Sequence, residues 1–278
     1  RYNFERLEAR NIEVICTSAE TFVAEFAGTA DLIYADPARR DGANRRLVRL
    51  EECSPDVRSL MPRLRQIARR IVVKASPLFD TDEAFALFGG EVSVEAVSLR
   101  GECKELLIDL PGTDRPEGPG LLRATAIGRG TRTFRPEQLR DGKPDAGFDP
   151  PYDYLLVPDV SLYKIRAARC YLQSAGAFAA SETGYGFARH LPDDFLGHAY
   201  PIEEIVPYRP KALKALFKAR GIERLNLLKR DFPLDAEQIA RATGIRQGGN
   251  GMAAFTTVDG RRIAVMLSEE GRERDRQL

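Results

Sequence analysis

Two stretches of this sequence set a carboxylate directly before proline: Asp36-Pro37 in "DLIYADPARRDG" and Asp149-Pro150 in "GFDPPYDYLL". A carboxylate can accept the N–H of an amine and stabilise the positive charge that grows on nitrogen as it attacks carbon. The proline behind it fixes φ, so the neighbouring backbone carbonyl keeps one direction. In open α/β sheets ligands bind beyond the carboxyl ends of strands. Asp36-Pro37 stands there, straight after the apolar run "DLIY". Asp149-Pro150-Pro151-Tyr152 instead follows the polar stretch "LRDGKPDAGF" and precedes a strand. Two prolines are a common entry to a sheet edge, so this tetrapeptide is expected to be a turn. Arg39 and Arg40, just beyond Ala38, could stack on a planar group or hold a phosphate, against the plain reading of a solvated loop.

Other chemistries are less well supplied. The four cysteines, Cys16, Cys53, Cys103 and Cys170, form no C-x-x-C pair, which fits neither a zinc site nor a disulfide framework. With two histidines, His190 and His198, a histidine-rich metal site is not expected. A covalent route would need a thiolate near Asp36. The nearest candidate, Cys53, follows Glu51-Glu52, whose charge would raise its pKa and leave it a structural thiol. Cys103 is expected to pack within a hairpin, and the next strand end, "KASPLFD", offers Ser76 instead. The glycine stretches at 128–130, 184–186 and 248–251 lack the strand before and helix after that a phosphate cradle requires. A nitrogen nucleophile assisted by Asp36 is the favoured chemistry.

The elements that position these residues follow from periodicity. "RYNFERLEAR" reads as the middle or end of a helix, which suggests that a part upstream of Arg1 is missing. "NIEVICTSA" (11–19) is expected as a strand, "ETFVAEFAG" as a helix and "DLIYADP" as a strand. A helix starting at Ser54-Pro55-Asp56 would bury Val57, Leu60, Met61 and Leu64. "RIVVKASP" is a buried strand, "DTDEAFALFGG" a helix, and 92–110 an antiparallel pair turning at Arg100-Gly101. From Pro111 to Pro151 the composition shifts to Pro, Gly, Arg and Asp, a boundary with one short hairpin. After it come a strand and one helix (153–176), then strand, helix, strand, helix and a hairpin at Asp259-Gly260. Strand–helix alternation followed by an antiparallel pair makes an α/β sheet with a reversed edge strand, and the last 75 or so residues make a compact α+β module.

Composition narrows the setting. A formal net charge of +1 gives no global field for nucleic acid, so any basic footprint is local. The strongest one runs from Arg209 to Arg230, where Lys211, Lys214 and Lys218 share one helix face opposite Leu213, Leu216 and Phe217. By itself such a stripe is usually a solvated face. No apolar run reaches the roughly 18 residues needed to span a bilayer, and scattered unpaired cysteines suit a reduced, cytoplasmic protein.

Together, "DLIYADPARRDG", "EECSPDV", "VVKASPLFD" and "LRGECKELLIDL" resemble a bacterial family of class I S-adenosylmethionine-dependent methyltransferases with a THUMP-like C-terminal domain. "YDYLLVPDVSLYKIRAA" and "IEEIVPYRPKALKALFKARGIERLNLLKRDFPLDAEQIARATGIRQGG" continue the resemblance over nearly the whole chain. It implies the C-terminal part of a Rossmann-like methyltransferase sheet at 1–112, a linker at 113–152, a ferredoxin-like segment at 153–199, a THUMP-like domain at 200–270 and a tail. It implies S-adenosylmethionine as cofactor, with the Gly-rich cofactor loop lying before Arg1 and Ser18 and Ala19 on the adenine side. Asp36 and Pro37 would be catalytic, with Arg39 in place of an aromatic base-stacking residue. Structured RNA such as tRNA would be the acceptor, tracked by Lys211, Lys214, Lys218 and Arg40, with no metal and no membrane. A non-catalytic RNA-binding protein on the same scaffold and a protein methyltransferase are the competing readings.

Overall fold

The computed structural model of the chain describes residues 2–38, 50, 53–114 and 120–268. It divides into two compact units, Arg1–Val92 with Leu107–Pro119, and Ser93–Leu106 with Gly120–Leu278.

The first unit holds α1 (Tyr2–Arg6), α2 (Ala19–Glu25), β1 (Ala30–Ala35), α3 (Val57–Ile67), β2 (Ala68–Ala75) and α4 (Thr81–Phe88). β1 and β2 pair in parallel, Leu32 opposite Arg70 and Ala35 opposite Val73. A parallel strand covered on both faces reads as a continuous apolar run, and Ile71, Val72, Val73 and Ala75 of β2 are all buried. Asp56 caps α3, its carboxylate accepting from the backbone N–H of Arg58 (3.0 Å) and Ser59 (3.3 Å). The buried face of α3 is Val57, Met61, Leu64 and Ile67, while Leu60 is only half-buried. Arg63 donates to the carbonyls of Val23 and Phe26 and so ties α3 to the end of α2. Asp80 caps α4, and Gly89 ends it at φ +96°.

The strand expected at 11–19 does not form. Residues 12–16 are irregular, Ile12 and Ile15 are exposed, and Ser18 already caps α2. β-branched residues favour a strand only where another backbone completes the ladder, and among the described residues none pairs with this stretch.

β3 (Ser93–Leu99) and β4 (Glu102–Pro111) turn at Arg100 (φ +54°) and Gly101 (φ +75°), the pair of positive φ values a tight hairpin needs. β4 begins in the second unit and ends in the first. In the first unit its end neighbours β2, where Asp109 accepts a two-pronged hydrogen bond from Arg70 (2.8 and 2.5 Å).

In the second unit β3 pairs in parallel with β5 (Leu122–Ala126), which makes the expected hairpin with β6 (Gly130–Phe134). α5 (Pro136–Asp141) follows. The stretch expected as a linker at 113–152 carries a hairpin bonded to β3, and the boundaries of the compact units fall at 92, 106 and 119. Next come β7 (Tyr154–Pro158), α6 (Val160–Lys164), α7 (Ala168–Ser174), β8 (Phe178–Ala179), β9 (Gly186–Ala188) and β10 (Gly197–Pro207). The single helix expected after β7 is two, because Arg166 at φ +58° breaks the ladder between them. Leu162, Ile165, Ala168 and Arg169 are nonetheless all buried across the two helices.

The chain then runs through α8 (Pro210–Ala219), β11 (Arg224–Lys229), α9 (Ala236–Thr243), β12 (Arg246–Val258) and β13 (Arg261–Leu267). The sheet order is β11-β12-β13-β10-β7-β9-β8, so β10 joins the segment before it to the module after it. A division at 199 runs through that strand. β12 and β13 alternate faces with period two. Ala253, Phe255, Ala264 and Met266 pack with Leu213, Phe217 and Ile239 of the helices, whereas Ala254, Val265 and Leu267 pack with Tyr185 and Phe187. Both sheets, taken by their pairings, are mixed.

Half-buried Tyr163 and buried Tyr185 lie beside Arg230 near β9. The Tyr163 hydroxyl donates to the Gly184 carbonyl (2.8 Å), and the Arg230 guanidinium lies 3.5 Å from the Tyr163 ring centre. Burial pushes the Tyr163 and Tyr185 phenols well above their ordinary value. The folded state thus holds protons that the unfolded chain gives up above about pH 10. Stability should be intact below that pH and fall as pH rises through it. Urea midpoints measured across this range should decline less steeply for Tyr163→Phe than for the parent; equal slopes would remove Tyr163 from the effect.

Candidate active site

Asp36 and Pro37 lie immediately beyond the carboxyl end of β1, as the sequence suggests. Pro37 is buried, and the Asp36 side chain remains 46% exposed, open to an incoming group. Because β1 and β2 are parallel and in register, their carboxyl ends lie side by side. Lys74, near the end of β2, brings its ammonium 2.5 Å from Asp36 Oδ2. The Lys74 side chain is 19% exposed, so this charge leaves water and needs its counter-ion. Sequence reasoning passed over Lys74. The signal was there, a lysine inside the apolar strand "RIVVKASP", since a charge in a strand covered on both faces must find a partner.

The loop after Pro37 is closed at its base by an antiparallel bridge. The Ala38 N–H donates to Ser54 (2.8 Å) and the Ser54 N–H returns to Ala38 (3.3 Å). Arg39 and Arg40, with Arg45 and Arg46, lie outside the described residues. Cys53 is buried beside the bridge. Ser76 is buried too, its Oγ accepting from the Leu78 N–H in the turn after β2. Cys103 is half-buried in β4, and burial raises its thiol pKa, the direction that disfavours a nucleophilic thiolate.

Ser18 and Ala19 open α2. The Ser18 hydroxyl accepts from the Thr21 N–H (3.1 Å) and shares a second hydrogen bond with Thr21 Oγ1 (3.0 Å). A hydroxyl has one donor and two acceptor sites. If it donates to Thr21 Oγ1, one acceptor site stays open.

Asp149-Pro150-Pro151-Tyr152 is irregular chain leading into β7. Asp259, in the hairpin between β12 and β13, accepts from the N–H groups of Gly147 and Phe148, and Phe148 stacks on Tyr152 at 5.2 Å. The tetrapeptide seats aromatic rings against Phe187, and Asp149 meets no charged group among the described residues.

In the second unit Lys211, Lys214 and Lys218 are exposed on α8 while Leu213 and Phe217 are buried on the opposite side. None of the three lysines has an ion-pair partner among the described residues, whereas nearby Arg220 and Arg246 are held by Glu204 and Glu223. No helix is long and apolar enough to cross a membrane, and no group of three metal-ligating side chains occurs among the described residues.

This arrangement is a mixed α/β chain with two mixed sheets and a strand-end carboxylate. The THUMP domain-like family model matches residues 197–269, the stretch from β10 through β13. Over 85% of its length the chain is similar to the crystal structure of a "putative methyltransferase" from Porphyromonas gingivalis W83, with 25% identity and a TM-score of 0.73. The chain spans 59% of that protein's length. No curated protein sequence matches.

Proposed function

We propose that this chain is part of an S-adenosylmethionine-dependent methyltransferase that modifies a nitrogen of a base in structured RNA. The observation that carries the reading is Asp36, held by Lys74 at the carboxyl end of β1. The similarity to the Porphyromonas gingivalis protein and the THUMP domain-like match support it. Asp36-Pro37 then serves as catalytic loop and Ser18-Ala19 as the adenine side of a class I, Rossmann-like cofactor site. The residues present fit S-adenosylmethionine at one contact, the open acceptor site of Ser18 towards an adenine amine.

When bound, S-adenosylmethionine supplies a methyl group on positively charged sulfur. The chain's residues orient and discharge the nucleophile. Lys74 occupies Oδ2 of Asp36, which leaves Oδ1 to accept the N–H of the base amine. Asp36 keeps the amine nitrogen aimed at that methyl carbon, whose leaving group is sulfur. The proton leaving nitrogen passes to the Asp36 carboxylate and on to water. Pro37, buried and fixed in φ, keeps the adjoining carbonyl in place for the same amine. Arg39 stacks on the base or grips its phosphate. These contributions are positioning and charge stabilisation, which dominate an in-line displacement.

Calorimetric titration of S-adenosylmethionine into the full-length protein tests the reading. Saturable binding is the expected result. A folded protein that takes up none would favour an RNA-binding protein on a methyltransferase scaffold.

The lysine face of α8 supplies a second test. Each phosphate neutralised contributes a slope of about −0.7 to −0.9 in log K against log salt. Replacing Lys211, Lys214 and Lys218 together by glutamate should flatten the salt dependence of tRNA binding by roughly two to three units. An unchanged slope would make the stripe a solvated face.

A further inference from the structure

A cavity of about 470 Å³ opens in the second unit beside the Asp149-Pro150-Pro151-Tyr152 tetrapeptide. Its lining includes the rings of Tyr152, Phe178 and Phe187, the side chains of Arg189 and His190, and Pro192. We infer that this cavity binds an unpaired nucleotide of the RNA, base against the Tyr152 and Phe178 rings and phosphate against Arg189. The inference rests on the RNA reading above and assigns that RNA a second point of contact.

The aromatic rings do two jobs, and burial separates them. Phe187 is fully buried and meets Phe148 edge-on at 4.8 Å, so it belongs to the core. Phe148 covers one face of Tyr152 by stacking. Tyr152 and Phe178 are only half-buried, and their rings lie 6.2 Å apart at 41°, a splayed pair rather than a closed stack. Pockets for small ligands run from about 300 to 1,000 Å³. An aromatic wall fits any base, because every base has a π-face.

The charged groups on the lining choose the ligand class. Arg189 and His190 are both exposed, and Arg189 has no ion-pair partner among the described residues. No carboxylate lines the cavity; Asp193 and Asp194, next along the chain, are not part of the wall. Aromatic faces beside a cation that can hold phosphate are the composition that recognises single-stranded nucleic acid. A base within a duplex stays stacked on its neighbours, so the ligand is an unpaired nucleotide.

The test is fluorescence anisotropy of a labelled single-stranded oligoadenylate RNA, about ten nucleotides long, with the full-length protein at low salt. The double variant Arg189→Glu, His190→Ala changes exposed side chains and leaves the core untouched. It should lose roughly tenfold in affinity. Tyr152→Leu should weaken binding similarly, with circular dichroism reporting whether its fold persists. Ultraviolet crosslinking of a 4-thiouridine RNA to the unaltered protein, mapped by mass spectrometry, should place adducts on the peptides carrying Tyr152 or Phe178. Full affinity in the double variant overturns the inference. If the three-lysine variant loses binding at the same time, the RNA reading survives without the cavity. Absence of binding by the unaltered protein overturns both.

Discussion

On the proposed function, Asp36→Ala is expected to slow methyl transfer to RNA by roughly 10²- to 10⁴-fold, the usual contribution of a positioned general base. The Asp36 side chain is about half exposed, but the variant takes this ion pair from the largely buried Lys74, so circular dichroism must show that the fold persists. Cofactor binding should be kept, because the carboxylate acts on the nucleophile. Lys74→Met sharpens the test. It leaves Asp36 present but without its counter-ion, so transfer should fall while the RNA affinity holds. Methyl incorporation from labelled S-adenosylmethionine, with RNA binding measured in parallel, separates the two effects. Undiminished transfer by Asp36→Ala would return Asp36-Pro37 to a strand-ending turn and leave the Lys74 pair as a structural ion pair.

The largest effect on stability is expected at Phe255. This ring is fully buried in β12, between the sheet and the α8–α9 layer. It meets Phe232 at 5.8 Å and Tyr208 at 6.0 Å, both edge-to-face. Phe255→Ala removes that whole contact set from a wall built by two helices and two strands, which can collapse little. Such truncations cost about 3–5 kcal/mol. Urea unfolding should show a loss of that size. A loss below about 1 kcal/mol would mean the aromatic cluster is not the keystone of this layer. Because the α8 lysines sit on the opposite side of the same helix, the RNA binding proposed for them should fall with its unfolding.

Much of the fold was legible in the residues because it depends on local periods and stops. α3, α4 and α9 start at Asp56, Asp80 and Asp235, each with a capping carboxylate. A cap acts within one helical turn, so the sequence alone contains both partners. The hairpin at Asp259-Gly260 follows likewise from two residues that accept positive φ. The candidate site was half legible. Asp36-Pro37 stood out because the apolar run before it marked a strand end.

What the sequence could not supply was long-range pairing. "NIEVICTSA" has strand-forming residues, yet among the described residues it has no ladder to join, so propensity goes unused. Lys74 lies 38 residues from Asp36, the difference of the two positions, and only the parallel register of β1 and β2 sets their charges together. Tyr152, Phe178 and Arg189 come from separate segments, and only the β7–β9 and β8–β9 pairings gather them around one cavity. Composition and period determine elements and their ends. Which ends become neighbours, and so which carboxylate, cation and ring share a site, is decided by how the strands pair in space.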